Sequence, residues 1–287
     1  MDQPHNHDNH LPKKDFTSYR KAAAYLLKRL RSHYGGLVES DKVRDEQHHH
    51  DADESITTPT LGIICGSGLS TLSHALTGNI LTVQYSEIPG FPSSCSVPGH
   101  EGEIVFGFLG KQNGTNIHTK EQQQNEDNVL FTAVFRGRFH GYEGFDMDTV
   151  VLPTRVMRCL GVKLLLVTNA AGGLHPNYQV GDIVCIMDHI SIPLLAGSKN
   201  PLIGPNDDEL GPRFPPTSNA YDPILQQVVV QASKNCGLQD VLHTEGTYCF
   251  VSGPNYESKK ECQFLRMIGG DAVGMSTGTF IQFFFFE

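Results

Sequence analysis

A glycine-rich turn follows the first strongly apolar run of the chain. Segment 63–69 (IICGSGL) ends in this turn, which presents backbone N–H groups and the Ser67 hydroxyl to an anion. The dinucleotide-binding fingerprint is excluded because it requires a third glycine where the chain has Thr71. The nucleophile elbow is excluded because Cys65 stands where that motif requires glycine. The turn therefore indicates an anion site, and a plain tight turn is the alternative.

A cationic segment, 135–144 (FRGRFHGYEG), directly follows another apolar run. Alternation along a strand places Arg138 and His140 on one face of it. A guanidinium makes bidentate contacts with phosphate, and an imidazole adds a further donor. A solvated strand end is the alternative. Arg, His and Tyr side chains so close together in a glycine-bracketed loop favour a phosphate site.

Three more segments place reactive or small residues after apolar runs. Segment 165–173 (LLVTNAAGG) ends in small residues, which leave room for a ligand at the carboxyl end of a strand in an open α/β sheet. Segment 251–258 sets the aromatic Tyr256 beside the carboxylate of Glu257. Segment 272–277 (AVGMST) ends in an apolar residue and two hydroxyls. Five such strand ends together indicate one composite site for a phosphate and an organic ring.

The elements that position these segments alternate between strands and helices. Helices are predicted at 16–32 and near 147–160, 222–235 and 258–268, from apolar spacing and length. Strands are predicted at 62–66, 103–109, 129–135, 163–169, 182–192, 246–253 and 271–276. The strands are apolar throughout rather than alternating, which is typical of an α/β domain with a largely buried sheet.

The composition excludes several classes of protein. Of 287 residues, 39% are hydrophobic and 18% charged, which supports a sizeable core. The formal net charge of −9 argues against nucleic-acid or anionic-membrane partners. No apolar run reaches the roughly 18 residues of a membrane helix, and the N-terminus does not resemble a signal peptide, so a cytoplasmic protein is expected. The 7 cysteines are scattered without a C-x-x-C pair, which argues against zinc and disulfides.

Polar segments interrupt the apolar pattern and suggest how the chain is divided. Those at 1–14 and 34–58 are rich in histidine, and solvated sequence is favoured there over a metal site. The predicted organisation is a disordered tail at 1–14, an N-terminal helix of the domain at 15–33, a polar insert at 34–58, a domain at 59–277 with a surface insert at 110–128, and an unrelated apolar tail at 278–287.

Nine motifs in order resemble the trimeric, 6-oxopurine-specific purine nucleoside phosphorylases. They are GIICGSGL, VPGHEG, FRGRFHGYEG, VTNAAGGL, GDIVCIMDHI, NPLIGPND, GPRFPPTSNAYD, EGTYCFVSGPNYES and DAVGMST, within 60–277. The resemblance implies an α/β fold with a central mixed β-sheet flanked by helices, and a homotrimer. It also implies phosphate-dependent cleavage of inosine or guanosine to base and ribose 1-phosphate. Inorganic phosphate is then a co-substrate, and no metal or organic cofactor is expected.

The same resemblance assigns roles to individual residues. Phosphate contacts are implied for Ser67, His100, Arg138, His140, Ala170 (through its backbone) and Ser276. Nucleoside contacts are implied for Tyr142 and Met275 near the ribose, Tyr256 and Glu257 near the base, and Val273. His140 and Glu257 are the catalytic candidates.

The chemistry of glycosidic cleavage agrees with this assignment. The ribose becomes positive and the leaving purine negative, and a phosphate anchored under the sugar stabilises the first charge and then captures C1′. No covalent enzyme intermediate is needed, so catalysis is positioning and electrostatics. Glu257 would accept a hydrogen bond from N1–H of guanine or hypoxanthine. Adenine has an acceptor there, so we expect its rejection by up to about 10⁴-fold.

The chain departs from the family pattern at three places. Leu195 stands where family members commonly lend an aromatic side chain across the trimer interface, and Tyr256 replaces a Phe. After Thr277 the family continues with V-P-E-V and a strand–helix segment that supplies an Asn to the purine and a His near the ribose. Segment 278–287 differs from this. The chain is therefore predicted to be C-terminally truncated relative to the family, poorly soluble and nearly inactive.

Two other functions remain alternatives at this point. One is a catalytically impaired homologue that binds purine or phosphate. The other is the related methylthioadenosine phosphorylase, which shares the phosphate loops. The latter is less favoured because Glu257 and the ending Met275-Ser276-Thr277 resemble the 6-oxopurine branch.

Overall fold

The computed structural model describes residues 16–35, 58–93, 95, 97–110, 129–197 and 200–279. Its α-helices within these ranges are α1 (Thr17–Tyr34), α2 (Met147–Val150), α3 (Leu152–Cys159), α4 (Ile192–Leu195), α5 (Pro223–Asn235) and α6 (Lys259–Met267). All four predicted helical segments are present, with the one near 147–160 divided into α2 and α3. The α5 and α6 helices begin after side-chain N-caps, because Asp222 accepts from Ile224 N–H and Ser258 accepts from Glu261 N–H.

The described strands number nine. They are β1 (Leu61–Cys65), β2 (Thr77–Gln84), β3 (Glu103–Leu109), β4 (Leu130–Arg136), β5 (Leu164–Val167), β6 (Gly172–Gly173), β7 (Ile183–Ser191), β8 (Leu242–Phe250) and β9 (Ala272–Gly274). The seven predicted strands are confirmed, whereas β2 and β6 are not predicted from the sequence. Mixed sheets with flanking helices confirm the predicted fold class.

The first sheet has the order β2-β3-β4-β1-β5. Strands β4, β1 and β5 are parallel, and β2 and β3 run antiparallel to their neighbours. The register sets Cys65 beside Arg136, and Ile64 beside Val167. The three parallel strands therefore end at one edge, where the chain continues into the predicted phosphate segments.

The second sheet has the order β6-β9-β8-β7, with β7, β8 and β9 parallel. Phe250 pairs with Gly274, so the segments that follow β8 and β9 also leave the sheet side by side. The edge strand β7 is largely half-buried or exposed, unlike the buried β1 and β4 of the first sheet. The prediction of a largely buried sheet therefore describes the inner strands better than the edges.

An aromatic cluster lies beneath the cationic loop. The rings of Tyr85, Phe91 and Phe139 lie with centroids 5.1 to 5.8 Å apart, and all three side chains are buried. The Tyr85 hydroxyl donates to the carbonyl oxygen of Gly137 over 2.8 Å. This bond fastens the turn after β4 to the core.

Several predictions concern residues outside the described ranges. These are the tail at 1–14, nearly all of the insert at 34–58, the insert at 110–128 beyond Gly110, and the tail beyond Thr279. Within the described ranges, no helix combines the length and apolar character that a bilayer crossing requires.

Candidate active site

The turn after β1 packs directly onto the end of β5. The backbone N–H of Gly66 donates to Thr168 Oγ1 over 3.0 Å. A Cβ at Gly66 would lie 2.7 Å from both the Cα of Asn169 and the carbonyl oxygen of Thr168. Only glycine permits this approach, which brings Ser67 next to the segment containing Ala170.

His100 connects the Ser67 turn to the cationic loop. Its Nε2 lies 3.1 Å from Ser67 Oγ, and its Nδ1 lies 3.2 Å from both the backbone nitrogen and the backbone oxygen of Arg138. The Ser70 hydroxyl also donates to the carbonyl oxygen of Gly99 over 3.0 Å. Three predicted phosphate residues, Ser67, His100 and Arg138, are thus brought together by direct contacts.

Arg138 is a buried cation at the centre of this arrangement. Strand β4 ends at Arg136, and Gly137 follows with φ of 131°, so Arg138 lies in a loop rather than on the predicted strand face. Its side chain is only 3% exposed, and Nη1 donates to Ser276 Oγ over 2.7 Å. Burial lowers its pKa below the usual value. Among the described residues no carboxylate forms an ion pair with it, which leaves its charge for an anionic ligand.

His140 is buried beside Arg138 and is held by Glu143. Its Nδ1 lies 2.7 Å from Glu143 Oε1, and the same oxygen accepts the His140 backbone N–H over 3.0 Å. Burial, with the charges of Arg138 and His100 and against the hydrogen bond to Glu143, lowers the pKa of His140 to about 4. The neutral ring therefore donates Nδ1–H to the carboxylate and leaves Nε2 as an acceptor. Glu143 is not among the site residues predicted from the sequence; its i, i+3 spacing from His140 is the signal that identifies it.

Tyr142 covers the other side of the His140 ring. The two rings stack with centroids 4.6 Å apart, and His140 also stacks on His100 at 5.3 Å. Burial raises the pKa of the Tyr142 hydroxyl, and the nearby Glu143 and Tyr256 raise it further. Tyr142 is thus near the anion site on one side and the predicted base segment on the other.

A small cleft adjoins the buried His140 and Ser276. Its lining residues include Phe139, His140, Met147, Phe250, Met275 and Ser276. Met275 packs so closely against Gly253 that a Cβ there would lie 2.5 Å from the methionine sulfur. Phe139, Phe250 and Met275 therefore give the cleft an apolar part next to the polar His140 and Ser276.

Val273 lies deeper than the other predicted nucleoside residues. Its side chain is buried in a core cluster with Leu174, Cys249 and Leu265. Its backbone pairs with Gly172 of β6. Val273, a residue of β9, therefore lies in the core behind the cleft rather than in its lining.

The predicted base-binding residues lie at an open rim. Tyr256 is 87% exposed and precedes α6. Glu257 is half-buried, and within the described part of the chain its carboxylate has no hydrogen bond or ion pair. Leu195, at the end of α4, is 78% exposed. Glu257 is therefore free to accept a donor from a ligand.

Ala170 follows β5 and is exposed, one residue after Asn169. Asn169 Nδ2 donates to Thr277 Oγ1 over 2.8 Å. This contact sets the segment containing Ala170 beside the segment containing Ser276. All six predicted phosphate residues thus lie on segments that touch one another.

Cysteines and other potential metal ligands are not grouped into a metal site in the described part of the chain. All seven cysteines are free thiols. Burial raises the pKa of Cys65, which keeps this neighbour of Ser67 protonated. Across the described ranges, no three His, Cys, Asp or Glu side chains are grouped to hold a metal ion.

Comparison with known proteins identifies the family. The model of the phosphorylase superfamily matches residues 60–283. The purine nucleoside phosphorylase of Bos taurus is 48% identical over 219 residues, which are 76% of this chain and 68% of that protein. The chain belongs to the purine nucleoside phosphorylases.

Solved structures of purine nucleoside phosphorylases agree with this assignment. A Schistosoma purine nucleoside phosphorylase in complex with hypoxanthine is 36% identical, with a TM-score of 0.71 over 93% of this chain and 78% of that one. The Schistosoma mansoni enzyme in complex with inosine is also 36% identical, with a TM-score of 0.70 over 93% and 77% of the two chains. The predicted family, fold class and type of enzyme are confirmed, and the methylthioadenosine phosphorylase alternative is not favoured.

Proposed function

We propose that this chain cleaves the N-glycosidic bond of inosine and guanosine with inorganic phosphate, releasing the base and ribose 1-phosphate. The observation that carries the proposal is the buried guanidinium of Arg138, which has no carboxylate partner among the described residues. A buried charge without a counter-ion is costly, and a phosphate supplies that counter-ion. The confirmed family supports the same reaction.

The phosphate would be held by donors from both sheets. Arg138 and the hydroxyls of Ser67 and Ser276 would donate to its oxygens, as would the backbone N–H of Ala170. His100 lies within reach of the same anion through its contact with Ser67. These groups fix the nucleophile under the ribose, so that little reorganisation is needed as positive charge develops at C1′.

His140 would contribute as an acceptor. Because its Nδ1–H is committed to Glu143, its Nε2 accepts the P–OH hydrogen of monoprotonated phosphate. This orients the unprotonated oxygens toward Arg138 and the sugar. The neutral ring also avoids adding a second positive charge beside Arg138, which agrees with its lowered pKa.

The base would be recognised at the open rim. Glu257, which has no partner within the described residues, would accept N1–H of a 6-oxopurine and hold it as negative charge builds on the leaving ring. Structural neighbours are described in complex with hypoxanthine and with inosine, which supports this substrate class. Tyr256 and Met275 would enclose the base and ribose.

The remaining parts of the proposal come from the family resemblance. They are a homotrimer with Leu195 near a neighbouring subunit's site, a cytoplasmic location, and a reaction without metal or organic cofactor. Exposure of the Leu195 side chain supports its availability for such a contact.

The proposal is tested with the full chain, inosine and inorganic phosphate. We expect phosphate-dependent formation of hypoxanthine and ribose 1-phosphate in equal amounts, measured by liquid chromatography. A parallel reaction with methylthioadenosine should be much slower. Binding of phosphate and hypoxanthine without turnover would instead favour the catalytically impaired homologue, and it would agree with the sequence-based prediction that this chain is nearly inactive.

A further inference from the structure

A side-chain hydrogen bond joins the two sheets next to the anion site, and the proposed mechanism does not use it. Asn169 Nδ2 donates to Thr277 Oγ1 over 2.8 Å, across 108 residues of sequence. Asn169 follows β5 of the first sheet, and Thr277 follows β9 of the second. The bond lies just beyond the antiparallel pairing of β6 and β9, whose last pair is Gly172 with Val273, and it carries that connection on toward the anion site.

Each partner in this bond is adjacent in sequence to a proposed phosphate ligand. Asn169 precedes Ala170, and Thr277 follows Ser276. The side-chain bond from Arg138 to Ser276 joins two proposed phosphate ligands, so a bound phosphate would compete for it. The Asn169–Thr277 bond involves no phosphate ligand, so it can persist when the anion is bound.

The surroundings make the bond rigid. Thr277 is only 3% exposed, so water is poorly placed to replace the Asn169 amide as its partner. On one side, the backbone of Asn169 lies against Gly66. On the other, Gly278 packs against Phe250, where a Cβ would lie 2.8 Å from the phenylalanine Cβ. Both ends are thus fixed to inner strands of their own sheets.

Resting on the proposed function, we propose that Asn169 and Thr277 are positioning residues that fix the distance between the Ala170 backbone and the Ser276 hydroxyl around phosphate. Ala170 lies between β5 of the first sheet and β6 of the second, and Ser276 follows β9, the partner strand of β6. Both residues are beyond the backbone pairing of β6 and β9, and their spacing decides whether both reach one anion. Small displacements of positioned groups carry large costs in binding and rate.

The test measures the dissociation constant of inorganic phosphate by titration calorimetry on the full chain. Thr277→Val removes the hydroxyl at nearly constant volume, and Asn169→Ala removes the donor independently. We expect each to weaken phosphate binding by about three- to tenfold, the range of one uncharged hydrogen bond. Thr277→Ser keeps the hydroxyl and should stay within about twofold of the parent, because the bond is retained.

Thr132→Val is the matched control. Thr132 is fully buried, and its hydroxyl donates to the carbonyl oxygen of Leu130 over 2.9 Å, at the start of β4 and away from the site. It should lower the melting temperature without changing phosphate affinity. The double variant Asn169→Ala/Thr277→Val should bind phosphate no more weakly than the weaker single variant, since both changes break the same bond.

The outcomes separate this inference from the proposed function. If the parent chain binds phosphate and Thr277→Val and Asn169→Ala bind it equally well despite lower melting temperatures, the bond is merely structural and the inference is overturned. If the parent chain binds no phosphate, and Arg138→Ala changes nothing, the proposed function itself fails and the inference fails with it.

Discussion

At the scale of single residues, Arg138 carries the strongest functional signal. Removing its guanidinium deletes charge-assisted hydrogen bonds, each contributing about 1.5–3 kcal/mol. We expect Arg138→Ala to lower kcat/KM for phosphate by at least about tenfold, measured under saturating inosine. Arg29→Ala is the control, since Arg29 of α1 forms a surface ion pair with Glu87. Unchanged phosphate kinetics in Arg138→Ala would refute the placement of the anion.

Under the proposed function, Glu257 is the residue that would select the base. Glu257→Gln keeps the shape of the side chain but replaces the charged acceptor, so kcat/KM for inosine should fall by about ten- to a hundredfold. Phosphate affinity should not change. Glu245→Gln, which alters an exposed carboxylate on β8, serves as the control. Preference of the parent chain for adenosine over inosine would contradict the role of Glu257.

The buried His140 predicts how stability depends on pH. Burial lowers its pKa to about 4 in the folded chain, whereas an unfolded chain titrates near the ordinary value of 6.5. Between these values the unfolded state binds more protons than the folded state, so stability is present above about pH 6.5 and is lost as pH falls toward 4. The loss from this group approaches about 3 kcal/mol.

Urea unfolding at pH 7, 6 and 5 measures this effect. His140→Asn should show a smaller fall in the free energy of unfolding than the parent chain over that range. His100, whose pKa is also lowered by burial, adds to the fall in both proteins. An equal fall in the free energy of unfolding between pH 7 and pH 5 in the parent and the variant would show that His140 is not buried as described.

At the scale of elements, the sequence predicts the inner strands and misses the outer ones. Strands β1 and β4 are continuous apolar runs because both faces are buried. Strand β2 buries only Leu81 and Val83 among eight residues, and β6 consists of two glycines, so neither has a strong pattern. Segments that follow parallel strands are brought together as expected, since such strands end at one edge.

Contacts between the two sheets cannot be predicted from the sequence. The bond from Arg138 to Ser276 joins residues 138 positions apart, and no local pattern specifies it. Likewise, Arg138 and His140 face the same site although β4 stops at Arg136, because a positive φ at Gly137 redirects the chain. The residue types of the site are therefore predictable, whereas the packing that orients them depends on tertiary structure.

The variant Gly66→Ala tests the close approach of the turn after β1 to the end of β5. A methyl group there would meet the backbone of Thr168 and Asn169 at 2.7 Å, which no side-chain rotation relieves. We expect Gly66→Ala to destabilise the fold by about 1–3 kcal/mol in urea unfolding and to weaken phosphate binding as Ser67 shifts. Gly35→Ala, with no atom within 4 Å of the added carbon, should change neither property. Normal phosphate affinity in Gly66→Ala would show that the turn does not place Ser67.

At the scale of the whole molecule, the site combines the edges of two sheets. Ser67, Arg138 and His140 follow strands of the first sheet, whereas Ser276 follows β9 of the second. Under the proposed function, a neighbouring subunit of a homotrimer would be a third source. Large apolar side chains are exposed near the ends of β7 and α4 and in the loop that follows, namely Leu195, Ile203 and Phe214.

Assembly and activity should therefore depend on the same surface. Exposed Leu, Ile and Phe side chains cost free energy in water, which a subunit interface recovers. We expect sedimentation velocity to show a trimer, and Leu195→Asp to shift it toward monomer because a buried carboxylate without a partner is strongly unfavourable. The same variant should lower turnover of inosine more than phosphate affinity, since Leu195 is expected near the base rather than the anion. Val180→Asp, at a fully exposed position before β7, should leave the trimer intact. A parent chain that is a stable, active monomer would refute the assembly and the contribution of Leu195 to a neighbouring site.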